Sequence, residues 1–291
     1  MTEQAPSKSA AYPRVRPRFW RPRFWRLRVV VLTLALVGCA PAREPRIEAL
    51  YQGQAIVTGQ DERSRPRGIV AAFEDVLVKV SGDPRLIGDP RVAPLSARAA
   101  SAVTAFSYRD RMEGIPIHDE QGTRDRPYDL TVSFEPDRMD DALRALGRAP
   151  WLAPRPILGM FVGIQIGAFS YVLASDGERG FDQRNALRDA AARRGMPIAI
   201  PSRAELAAAD LRFETMSALG LADLDARAKT IGGDGALTGR LIWDQTNPGW
   251  IARWRFMAKG REYDWEAREA TFDESFRRAV GSAAQILSGS G

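Results

Sequence analysis

The chain has 291 residues, with 42 Lys+Arg against 36 Asp+Glu, one histidine and one cysteine. A lone cysteine excludes an intramolecular disulfide, and a lone histidine beside it leaves no usual transition-metal ligand set. The formal charge of +6 suggests nucleic acid, but residues 1–38 hold eight of the basic residues and one acid, so the remainder carries 34 basic and 35 acidic residues and the charge argument for nucleic acid fails.

Chain order begins with a leader. Lys8 and seven arginines from Arg14 to Arg28 precede the apolar run Val29–Gly38, which ends at Cys39. A basic region, a short apolar core and small residues at its end form an export signal. Leu36-Val37-Gly38-Cys39 also resembles a bacterial lipobox, in which the cysteine sulfur receives a diacylglycerol and cleavage makes the cysteine the mature N-terminus. Two alternatives stand beside this one. A secretory signal cut after Ala40-Pro41-Ala42 would discard Cys39, and an uncleaved anchor would need about 20 apolar residues, more than the core provides. The Arg18-Phe19-Trp20 and Arg23-Phe24-Trp25 echo has no physical account.

The expected organisation is a signal at 1–38, a tether at 39–47, an N-terminal α+β domain at 48–149, a Pro-rich linker at 150–156 and a C-terminal α/β domain at 157–291. In the first domain a strand is expected over Glu48–Thr58 and a helix over Arg67–Val80. Ile69, Phe73, Val76, Leu77 and Val80 share one helical stripe, Pro66 suits the first turn and Gly82 the C-terminal cap. Asp83-Pro84-Arg85 is echoed by Asp89-Pro90-Arg91 and predicts turns. A helix is expected over Leu95–Phe106, strands over Ser107–Met112 and Tyr128–Glu135, and a helix from Pro136 to Gly147.

In the second domain Ile157–Ile166 reads as a central strand, Phe169–Leu173 as its hairpin partner, Phe181–Arg194 and Leu221–Ile231 as helices, and Met196–Ile200 as a short strand. Lys259-Gly260 is a two-residue turn between Trp250–Ala258 and Arg261–Ala267. That register sets Trp254 opposite Trp265, Phe256 opposite Tyr263, Arg255 opposite Asp264 and Arg253 opposite Glu266; a one-residue slip would destroy both faces at once. Trp243 falls opposite Trp250, and a terminal helix carrying Phe272, Phe276, Val280, Ala283 and Leu287 covers the aromatic face. The fold class is therefore α+β: two small α/β domains, the second with a mixed or antiparallel sheet covered by helices.

Chemistry-bearing motifs are sparse. His118, in Ile117-His118-Asp119-Glu120, lacks a second histidine or cysteine and reads as a solvated loop residue. Ile231-Gly232-Gly233-Asp234-Gly235 precedes a strand and is a turn, the wrong order for a dinucleotide loop. Asp83 and Asp89 match no calcium loop. No cofactor and no metal is expected. The candidate binding surface is Trp243 and Trp250, the two tryptophans expected to protrude, with Arg240 and Arg253, a like-charge cross-strand pair.

Val76-Leu77-Val78-Lys79-Val80-Ser81-Gly82-Asp83, then Leu130-Thr131-Val132-Ser133-Phe134, Arg193-Arg194-Gly195-Met196-Pro197-Ile198 and Leu237-Thr238-Gly239-Arg240-Leu241 resemble, in order and spacing, the bacterial family called domain of unknown function 2066. That resemblance implies export and one continuous fold, and it carries no catalytic residue. The expected function is a non-enzymatic, lipid-anchored envelope protein that faces the periplasm and binds an envelope protein partner. Ala40 after Cys39 favours the outer membrane over the inner. The alternative is a periplasmic ligand-binding module stacking a glycan or small molecule on Trp243 and Trp250; an enzyme working through scattered carboxylates comes third.

Overall fold

A computed structural model describes residues 47–114 and 126–290, which lie within one contact unit, Ala42–Gly291. Cys39 and His118 fall outside the described residues. The chain opens with the helical turn α1 (Ile47–Leu50), then β1 (Gln52–Thr58) and α2 (Arg65–Ser81). The first strand thus starts four residues later than expected, because the segment before it is helical. In α2 a proline occupies the first turn, and Gly82 ends the helix at φ 71° with its N–H bonded to Val78 O. A side chain is strained in that left-handed conformation, and glycine is not.

Residues 93–110 depart from expectation. Only Ala93–Ser96 (α3) is α-helical; a short 3-10 turn follows at Ala99–Ala102, and β2 (Val103–Asp110) takes the rest of the segment. Phe106 and Tyr108 point to the same side of the sheet, with rings 5.9 Å apart, and β2 supplies the second neighbour that β3 (Pro127–Phe134) needs. Sheet pairing overrode local helix propensity there. The first sheet runs β1-β3-β2, all antiparallel. Helix α2 and α4 (Pro136–Ala145) cover one face, burying Phe73, Val76 and Leu77 with Leu130, Val132 and Phe134. The other face, with Gln54, Ile56, Thr131 and Arg109, carries no buried apolar cluster among the described residues.

The second sheet is built from β4 (Leu158–Ile166), β5 (Phe169–Val172), β6 (Ile198–Ala199), β7 (Gly235–Asp244), β8 (Gly249–Ala258) and β9 (Arg261–Glu269). Its order is β5-β4-β7-β8-β9, with β6 beside β4; β4 and β7 are parallel and β7-β8-β9 antiparallel. The fold is α+β with a mixed, helix-covered second sheet. The expected register is the observed one: Trp254 faces Trp265, Phe256 faces Tyr263, and Arg253 faces Glu266. Lys259 and Gly260 both have positive φ, 52° and 72°, as a two-residue turn of the hairpin type requires.

Helices α5 (Phe181–Arg193) and α9 (Phe272–Ser288) cover the aromatic face, burying Met160, Val162, Ile164 and Leu241 with Trp254 and Phe276. Three shorter helices cover part of the opposite face: α6 (Arg203–Ala208), α7 (Phe213–Met216) and α8 (Leu221–Thr230). They bury Phe161, Met216, Leu224 and Ala236. Of the three, helical periodicity predicts only α8. Ser202 and Glu205 nevertheless form a capping box at the start of α6, which is a sequence-level helix start.

Candidate functional site

A depression of about 530 Å³ runs along the edge strand β1 between α2 and α5. Its construction follows from helical spacing. Ala71, Asp75 and Lys79 lie four residues apart on α2, so they form one row along the β1 edge. Across the groove stand Ala186, Asp189 and Arg193 of α5. A second depression of about 430 Å³ continues past Ile56 and Ala71 to Thr58, Arg63 and Arg67.

Asp75 and Lys79, which line the groove, belong to a buried charge cluster. Asp75, 8% exposed, accepts hydrogen bonds from Arg194 at 2.8 Å and Arg193 at 3.3 Å. Lys79, also 8% exposed, donates to Gln52 O at 2.6 Å. Arg155 donates to Lys79 O at 2.6 Å and to Arg194 O, and its guanidinium lies 4.4 Å from the Trp151 ring centre. The proline-rich segment is thereby pinned to the ends of both α2 and α5. Burial lowers the Lys79 amine to about 8; Asp75 opposes that shift, and the surrounding arginines reinforce it. Burial likewise lowers Arg155 to about 10.

Linkage fixes the sign of the Lys79 effect. Above pH 8 the folded protein releases a proton that the unfolded chain holds until about 10.4, so stability rises with pH across that window. We expect a gain on the order of 2–3 kcal/mol between pH 8 and 10, absent from Lys79→Met. Urea denaturation of both proteins across that range checks it; parallel pH profiles would refute the assignment to Lys79.

The residues expected from sequence do not form one surface. Trp243 and Trp250 are cross-strand neighbours with ring centres 5.4 Å apart, but Trp250 is only 6% exposed and packs on Phe272. Its expected protrusion is corrected: α9 covers it. Arg240 and Arg253 are in register on the opposite face, where Arg240 stacks on Phe213 at 4.3 Å and Arg253 pairs with Glu266. Asp83 and Asp89 each accept from the arginine two residues on, as turn residues do. Among the described residues no group of three or more His, Cys, Asp or Glu could hold a metal, and no helix is long and apolar enough to cross a membrane. Sequence reasoning missed Asp75, Lys79 and Arg193. Their signal was two opposite charges four apart beside an apolar helical stripe, which names no partner across the chain.

Residues 45–152 match the family described as a domain of unknown function, DUF8605. The resemblance to family 2066 is therefore corrected, since the match falls on a different uncharacterised domain. Two of the four segments that suggested it, Val76–Asp83 and Leu130–Phe134, are a capped helix end and an inner strand. No curated protein and no solved structure matches the chain.

Proposed function

We propose that the chain is an exported envelope protein, anchored by lipid on Cys39, that faces the periplasm and binds or helps assemble another envelope component. The observation that carries this reading is the order of the leader: basic residues, a short apolar core, then Leu36-Val37-Gly38-Cys39. Two or more acyl chains suffice for stable anchoring. Ala40 supports an outer-membrane destination. The groove along β1 supports binding as the work done there, because it sets a sheet edge and charged side chains in one place.

Metabolic labelling with an alkyne fatty acid tests the anchor. The wild-type protein is expected to take up label and sediment with membranes, and Cys39→Ala to lose the label. Equal labelling of both forms would sink the proposal.

A further inference from the structure

The hydrogen-bond pattern of β1 decides which of its backbone groups are free. Phe134 N donates to Tyr51 O at 3.0 Å and Gly59 N to Arg126 O at 2.9 Å. With Gln52 opposite Ser133, the alternation of an antiparallel ladder directs Gly53, Ala55 and Val57 toward β3. Gln52, Gln54, Ile56 and Thr58 therefore turn their N–H and C=O groups outward. Lys79 takes the Gln52 carbonyl. Among the described residues no hydrogen bond engages the outward groups of Gln54 or Ile56, and Ile56 is 64% exposed.

An unpaired strand edge is a template for another strand. Here it lies inside the two depressions, which share Ile56 and Ala71 and so form one track. The lining of that track holds seven arginines and lysines against five aspartates. Asp75 is already shared by two arginines, and Asp129 by Arg109 and Arg111. The remaining field favours an acidic occupant.

We propose that the free edge of β1 docks an extended, acidic polypeptide segment of a partner protein, which adds to the first sheet as a fourth strand. This rests on the binding role proposed above and names the class of partner.

The test uses the full mature protein in detergent and a phage library of random linear peptides. Enriched peptides are expected to be acidic and to slow amide exchange at Gln54 and Ile56. Ile56→Pro removes one outward N–H, a change edge strands tolerate, and should weaken binding at least tenfold. Should that variant fail to fold, Ala71→Arg fills the track from an exposed helix position and should weaken binding as much. Failure to enrich acidic peptides, or binding that survives both substitutions, would overturn the proposal. The two readings fail separately: loss of the lipid label leaves peptide binding intact, whereas peptide binding can fail while Cys39 remains acylated.

Discussion

Replacing Asp75 with alanine is expected to lower stability by about 3–5 kcal/mol, the usual result of leaving a buried charge without its counter-ion. Arg194 has a side chain only 9% exposed, and Lys79 sits one helical turn away. Without Asp75 the cluster keeps Lys79, Arg155 and Arg194 and loses its anion. Asp129→Ala is the control. Its partner Arg109 is 79% exposed, so that pair is worth about 0–1 kcal/mol. Urea denaturation of the two variants side by side gives the comparison. Equal losses would mean that the cluster is not a buried one in solution.

The second large effect concerns Gly239 and Trp254, which face each other across β7 and β8. A Cβ on Gly239 would lie 2.3 Å from the Trp254 ring, so the indole occupies the space of the missing side chain. Trp254 is 1% exposed and packs on Phe276. Trp254→Ala should cost about 3–5 kcal/mol, and Gly239→Ala about 1–3 kcal/mol through overpacking. The double variant should cost clearly less than the two combined, because removing the ring removes the clash. Strict additivity in a thermal or urea series would contradict this packing.

Legibility differed between the halves for physical reasons. In β8 and β9, aromatic and charged residues alternate so strictly that only one register satisfies both faces, and the sequence alone determines it. The segment 95–106 lacks such a constraint, and the need of β3 for a second neighbour turned its end into β2. Trp250 looked exposed only because the position of α9 over the sheet end could not be fixed from periodicity. The groove was least legible. Asp75 and Arg194 are 119 residues apart, and nothing local in either segment announces the other.

The proposed role depends most on whether Cys39 becomes an acylated mature N-terminus. Intact-mass analysis of the N-terminal peptide from purified membranes tests this most directly. The expected result is a chain beginning at Cys39 and carrying diacylglycerol on its sulfur; a chain beginning at Arg43, or one retaining the leader, would contradict it.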